Sequence, residues 1–590
     1  MNHLFTHYNN QITTYKTKLS TVKKQLFVSS MLRLSIFVLA AIGLYLVIGN
    51  TKLVLALVLG TIILFLFLVS RHSDLQYKRD KLLALIKINE TEVDVLQRKF
   101  YHLPKGDNFK DASHYYSQDI DLFGKASFYQ YCNRTALQQG SDTLAGIFTA
   151  NSIDGIPKKQ EAIKELAEKI AWRQEFSAIA TLVKTEISYK SIIKWLENYT
   201  FFIPGIMKLL PIVFSLLSGV LMALYYFNII PGIALLVWFL VGLGITGIYF
   251  KKINTLSAHA GQIQTTFHQY QKLILEIEKI EFSSTLLQEQ KAYILSGEKK
   301  TSTVLKEFSK ILSALDQRNN MLFGFFANGF LLWDLKQCYK IEKWVQNNGS
   351  SVEQWFKTIA FFDGYNSLGN FSFNHPSYNF PEISTNETIL KSEGAGHPLL
   401  DSKKSILNDL EVGKEQFFII TGANMAGKST FLRTVSLQIV MANVGLPVCA
   451  KKVSYSPIKL ITSMRTADSL TDDESYFFSE LKRLKFVVDE ILKDKYFIVL
   501  DEILKGTNST DKAIGSRKFV EKLVKSKSTG IIATHDLSLC EIVDELPQVK
   551  NHYFDAEIID DELHFDYKFK NGICKNMNAS FLLKKMKIVE

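Results

Sequence analysis

Eight consecutive residues, Gly422, Ala423, Asn424, Met425, Ala426, Gly427, Lys428 and Ser429, fit the pattern GxxxxGK[ST]. The apolar run FFIIT precedes them, and the helical stretch TFLRTVSLQIV, opening at Thr430, follows. A glycine-rich turn between a strand and a helix closes backbone N–H groups around phosphate, and the helix N-terminus favours negative charge there. Lys428 is expected to reach the terminal phosphates and the Ser429 hydroxyl to ligate magnesium, with Thr430 grouped among the phosphate contacts. A later run, YFIVLDE, ends in two carboxylates. Asp501 suits a magnesium ligand, usually through water, and Glu502 a base polarising the attacking water. A third run, GIIATHD, ends in His535, placed to sense or contact the terminal phosphate. Paired acids more often open a solvated helix, and a lone histidine is more often a surface or core residue, so both assignments depend on the glycine-rich turn. Together, Lys428, Glu502 and His535 are the candidate catalytic groups, and ATP with Mg2+ the expected cofactors.

These residues need a sheet to hold them. From Gln416 onward, Phe417 to Thr421, Tyr496 to Leu500 and Gly530 to Ala533 alternate with helical stretches, which predicts a mainly parallel sheet with helical crossovers. The chain of 590 residues is too long for one core, and 47% hydrophobic with 22% charged residues excludes a disordered chain. A formal charge of +11 favours an anionic partner without choosing among nucleic acid, lipid head groups and nucleotide. Cys132, Cys338, Cys449, Cys540 and Cys574 lack any CxxC spacing, so neither a disulfide framework nor a zinc site is expected and a reducing cytosol suits the soluble parts.

Much of the apolar content lies in two pairs of runs, Met31 to Ile48 with Leu53 to Val69, and Leu209 to Phe227 with Ile229 to Phe250. Each is close to the roughly 20 apolar residues of a spanning helix. Buried hairpins of a soluble core are the alternative, which the near absence of charge within the runs disfavours. Lys23, Lys24, Arg71, Lys78, Arg79, Lys208, Lys251 and Lys252 flank the runs, so the positive-inside tendency puts every flank in the cytoplasm. A multi-pass protein of the cell (inner) membrane with cytoplasmic soluble domains follows. The polar start does not read as a cleaved signal peptide, because the first run ends without a small-residue cleavage site. Tyr270, Leu273, Ile277, Ile280 and Leu287 fall on a three-and-four spacing that predicts one long helix packed along a partner.

TGANMAGKSTFLRT, VLDEILKGTNSTD and IIATHD resemble the P-loop, Walker B with D-loop, and switch-histidine strand of the MutS family of ABC-type ATPases. Gly396, His397, Pro398, Leu399 and Asn408 resemble the landmarks that open that family's ATPase domain, and DLFGKASFYQYCNRTALQQG and VEQWFKTIAFFDGYNSLGNF are similar to parts of its helical core and lever. The resemblance implies a homodimer whose nucleotide is sandwiched between one P-loop and the partner's signature segment. Here that segment is DSLTDDESYFFSEL, with Ser475 acting in trans and Glu480 matching a family acid. Asp472, Asp473 and Glu474 depart from the pattern, Ser405 replaces the aromatic residue that stacks on adenine, and Asp536 replaces the tyrosine after the histidine. The short polar leader leaves no room for the family's mismatch-recognition domain, and the second apolar hairpin stands where a DNA-contacting clamp interrupts the lever. DNA is a partner the resemblance raises, without mismatch recognition of the usual kind.

The expected fold is therefore an α/β P-loop ATPase domain of ABC/MutS type, an all-α core and lever, and two transmembrane helical hairpins. The expected division is a polar cytoplasmic leader (1–30), hairpin 1 (31–70), helical core (71–206), hairpin 2 (207–250), lever and core (251–385) and ATPase domain (386–590). The leading expectation is a membrane-anchored ATPase. The alternatives are an ABC-type transport or remodelling ATPase, which four spans nearly devoid of ionisable residues disfavour, and a membrane tether regulated by nucleotide.

Overall fold

No proline occurs before Pro104, and between Asn2 and Leu96 only the turn Ile48–Asn50 interrupts the helices. Two helices of 46 residues result, α1 (Asn2–Val47) and α2 (Thr51–Leu96), packed antiparallel. Asn50 caps α2, its side chain accepting from the N–H groups of Lys52 and Leu53. At 1.5 Å per residue each helix is about 70 Å long, more than twice the roughly 30 Å of a bilayer core. Within the polar half of α1, Leu4, Tyr8, Ile12, Leu19 and Leu26 are buried at spacings of four and seven, the seam of a helix pair. The apolar half is bare, with Phe37, Leu39, Leu46, Leu55, Ile63 and Leu66 all exposed. The expected leader over 1–30 is thus no separate segment. The hydropathy changes at residue 31 while the helix continues, and α2 carries on past residue 70 in the same way.

The computed structural model describes residues 2–183, 188–295, 299–401, 403–465, 476–559, 562–574 and 587–588. After α2 come α3 (Phe128–Cys132), α4 (Gln138–Thr149), α5 (Ile156–Glu168), α6 (Ile170–Thr181) and α7 (Tyr189–Glu197). The second apolar pair is α8 (Leu210–Tyr226) and α9 (Gly232–Ile248), each about 25 Å long and so shorter than a full span. α9 meets α10 (Phe250–Lys279) at a bend of 70°. By length and composition α1 and α2 can each cross a membrane, and α9 with α10 makes a third candidate. Then follow α11 (Thr285–Ala292), α12 (Thr301–Asp316), α13 (Met321–Leu331) and the 42-residue α14 (Trp333–Asn374).

The predicted long helix through residues 270–287 is broken. α10 ends at Lys279, Ile280 is extended, and Leu287 belongs to α11. The Glu165 carboxylate captures the intervening loop, accepting from the N–H groups of Ser283 and Ser284 at 2.8 Å each. Tyr270, Leu273, Ile277 and Leu287 are all buried, so the spacing marks a shared core rather than one helix. That core joins α10, α12 and α14 through stacked aromatics: Phe308 lies on Trp344 with ring centroids 3.7 Å apart, and Phe267 meets Phe308 edge-on.

The strands are β1 (Glu382–Ile383), β2 (Thr388–Ala395), β3 (Asn408–Gly413), β4 (Phe417–Gly422), β5 (Lys452–Tyr455), β6 (Lys459–Ser463), β7 (Tyr496–Asp501), β8 (Thr529–Ala533), β9 (Val549–Phe554), β10 (Ala556–Ile559), β11 (Glu562–Phe565) and β12 (Lys570–Asn571). The helices among them are α15 (Lys428–Val444), α16 (Tyr476–Ile491) and α17 (Ser509–Lys525). Six strands form a sheet in the order β12-β9-β4-β8-β7-β6, parallel except for β12. Buried on both faces, β4, β7 and β8 read as unbroken apolar runs. A smaller sheet in the order β1-β5-β2-β3 and the hairpin β10-β11 complete the domain.

Candidate functional site

The carboxyl ends of β4, β7 and β8 lie side by side, where open α/β sheets bind ligands. Register pairs Ile420 with Ala533 and Asp501 with Ala533, so the turns after Gly422, Asp501 and Ala533 converge. The 422–427 turn needs left-handed backbone, with φ of 152° at Gly422 and 105° at Gly427, and Met425 joins them at 68°. Lys428 opens α15 with its amine turned back, donating to the carbonyls of Gly422 at 2.7 Å and Ala423 at 3.0 Å. Burial lowers its pKa, against the charges of Asp501 and Glu502. The Ser429 hydroxyl donates to Asp501 Oδ2 at 2.6 Å. Two hard oxygens are thereby brought together at the mouth of the turn. Among the described residues no group of three or more His, Cys, Asp or Glu forms a metal cage. Magnesium needs none, since it keeps waters and takes one or two protein oxygens plus phosphate.

Glu502 stands one residue beyond Asp501 with φ of 51°, and its N–H is held by the Ala533 carbonyl at 2.9 Å. Burial opposes ionisation of its carboxyl, yet Lys512, which donates to Oε1 at 2.8 Å, and the charges of His535 and Lys505 hold it below the usual carboxylate range. His535 is half-buried, and its imidazole pKa is lowered first by burial and then by the Lys428 charge, with Glu502 opposing. Lys512, one turn into α17, was not singled out from the sequence. Its signal is a lysine in the first turn of the helix that follows the DE pair.

Beside the turn lies a cavity of about 480 Å³ lined by His397, Ser405, Ile406, Asn408, Met425, Gly427, Thr430 and Tyr567 among others. Ser405 lines it without an aromatic face. Tyr567 supplies one: a Cβ built on Gly427 would lie 3.1 Å from its ring. Asn408 fixes that segment, donating to the Tyr567 carbonyl at 3.0 Å and accepting from the Phe569 N–H at 2.9 Å. Sequence reading missed Tyr567 because it lies far along the chain from the glycine-rich turn. Arg98, just past α2, donates to the carbonyls of Pro398 at 3.2 Å and Leu399 at 3.0 Å, beside the cavity wall. Glu480 accepts from the N–H groups of Leu504 at 2.6 Å and Lys505 at 3.0 Å, so it anchors the segment after β7. Asp536 caps the 3-10 helix Leu537–Asp544. Ser475, with Asp472, Asp473 and Glu474, lies outside the described residues.

A mainly parallel sheet with a glycine-rich strand–turn–helix and a carboxylate at the end of a nearby strand defines an α/β domain, which follows a large helical region. Residues 418–587 match the family model described as MutS domain V. The chain is 34% identical over 210 residues to the MutS protein homolog 4 of Homo sapiens, a match covering 34% of this chain and 22% of the human protein. It is 28% identical over 269 residues to the DNA mismatch repair protein MutS of Thermotoga neapolitana, covering 45% of this chain and 32% of that protein. A MutS of Clostridium botulinum is 28% identical over 297 residues, covering 48% and 30%. The matched part thus spans about a quarter to a third of these relatives. The chain is thus similar to MutS proteins over its C-terminal α/β region, and its mixed sheets with a large helical N-terminal region are consistent with a MutS-like fold.

Proposed function

We propose that the chain is a membrane-anchored, MutS-like ATPase that binds and hydrolyses ATP at a composite site completed by a second copy. The observation that carries the nucleotide reading is the contact of Ser429 with Asp501 at 2.6 Å, across two strand ends and beside the Lys428 amine. In this reading the 422–427 turn and Lys428 hold the phosphates, with Thr430 beside them, while Ser429 and Asp501 hold Mg2+. The bound ion supplies charge neutralisation at the phosphates. Glu502 takes the proton from the attacking water, and His535 faces the terminal phosphate. Tyr567 stacks on the base in place of the aromatic residue that Ser405 replaces. Ser475 of a second copy completes the site, making turnover a report on closure of the pair.

Membrane anchoring is supported by the bare apolar halves of α1 and α2 and by basic residues on their polar sides. The bacterial relatives are DNA mismatch repair proteins; DNA binding at the cytoplasmic face is proposed here from that likeness and the +11 charge. Phosphate neutralisation releases counterions, so DNA affinity should fall steeply with salt. A flat salt dependence removes this part of the proposal and leaves the ATPase. The nucleotide site is tested by Lys428→Ala, which is expected to abolish ATP binding measured by a fluorescent analogue. Unchanged binding would refute the assignment.

A further inference from the structure

Between α12 and α14, where a lever needs only a turn, the chain inserts MLFGFFANGFL as α13. It contains no charged residue, and its outward side chains are bare: Met321 is 86% exposed, Leu322 72%, Phe326 55% and Phe325 49%. The segment leaves and returns at one place. Arg318 and Asp334, on either side of it, form an ion pair at 2.8 Å with Asp334 fully buried, and Arg318 also donates to Asn254 of α10 at 2.6 Å. At about 16 Å, α13 cannot span a bilayer, and the ion pair keeps both its feet on one side.

α13 is bound into the second apolar hairpin at depth. A Cβ built on Gly242 of α9 would lie 2.2 Å from the Gly329 carbonyl oxygen, so the two backbones touch where neither residue has a side chain. Phe239 packs edge-on against Phe325. The Ser218 hydroxyl of α8 donates to the Phe330 carbonyl at 2.7 Å and accepts from Trp238 Nε1 at 2.8 Å. That contact satisfies a helix-end carbonyl with no water required, the condition for ending a helix in an apolar medium. Ser218 and Gly242 lie about 10 Å along α8 and α9 from their basic-flanked ends, the depth of an interfacial helix.

We propose that α13 is a re-entrant helix inserted in the lipid of the cytoplasmic leaflet, so that the lever helices α12 and α14 end inside the bilayer. Lipid fits this surface better than a protein partner. A protein interface carries a polar rim, whereas α13 packs on α8 and α9, whose exposed side chains, such as Leu216, Leu217, Leu240 and Val241, are apolar too. Charge appears only at its feet, in Asp316, Arg318, Asp334, Lys336 and Lys340. The inference rests on the membrane reading above, and the experiment separates the two. The full chain is reconstituted in phosphatidylcholine vesicles with single added cysteines at Leu322→Cys and Phe325→Cys, at Leu66→Cys in α2, and at Lys357→Cys on exposed α14. Each cysteine carries an environment-sensitive nitrobenzoxadiazole label, with the parent chain as baseline for its own, mostly buried, cysteines. Labels at 322, 325 and 66 are expected to emit to the blue and lose intensity to doxyl-labelled lipid, while that at 357 does neither. Quenching at 66 without quenching at 322 and 325 overturns the placement of α13 and leaves the anchor standing. No quenching at any site overturns both.

Discussion

Against burial, which opposes its ionisation, the Glu502 carboxyl is held charged chiefly by Lys512. The 2.8 Å contact holds the carboxyl below its usual range, so it stays ionised to lower pH. In Lys512→Met the carboxyl loses that support while burial still opposes its charge, and the acid limb of the ATPase pH–rate profile should move to higher pH. An unmoved acid limb would show that Glu502 is not the titrating base. Tyr567→Ala should weaken ATP binding by roughly tenfold or more, the scale of one base–aromatic stack, with little change in kcat; retention of the parent KM would remove Tyr567 from base recognition. The glycine-rich strand–turn–helix and the strand ending in Asp501 and Glu502 were legible in the sequence, because each is a contiguous run. Lys512 and Tyr567 were not, because their roles arise from packing between segments distant in sequence.

At the scale of elements, Asp363 on α14 joins the lever to the helical core. Fully buried, it accepts from the N–H groups of Ala136 at 3.1 Å and Leu137 at 2.9 Å, which lead into α4. Burial pushes its carboxyl up to about 7, although those N–H groups pull the other way. A raised value means the folded chain holds a proton that the unfolded chain has released, so this stability is complete below the ordinary carboxyl range and is lost as pH rises through about 7. In Asp363→Asn that loss disappears, so the melting temperature of the variant should fall less than the parent's between about pH 5 and about pH 8. Parallel pH curves would contradict the assignment. The strands β4, β7 and β8 were readable as apolar runs because both faces are buried. Helix ends were less readable: α10 stops where Glu165, more than a hundred residues earlier, captures the next loop, and α1 runs through a hydropathy change that no breaker marks.

Across the whole molecule, the long hairpin is tied both to the end of α14 and to the segment beside the Ser405–Tyr567 cavity. Tyr8 donates to Asn374 at the end of α14 at 2.7 Å, and Asn374 donates to Glu92 of α2 at 2.7 Å. Arg98 then grips the carbonyls of Pro398 and Leu399, beside the cavity lined by Ser405 and Tyr567. The long apolar hairpin, α14 and the segment beside the Ser405–Tyr567 cavity are thus connected, and on the proposed function Arg98→Ala should alter ATP turnover in vesicles more than it alters ATP binding. Equal effects on both would place Arg98 in the pocket rather than in the coupling. The central claim, that ATP is hydrolysed by a chain embedded in a bilayer, is tested most directly by reconstituting the full protein in vesicles, floating them on a density gradient and measuring Mg2+-dependent ATP turnover in each fraction. The account predicts that turnover floats with the lipid and falls by about 100-fold or more in Glu502→Gln. Protein remaining at the bottom of the gradient, or equal turnover in Glu502→Gln and the parent, would contradict it.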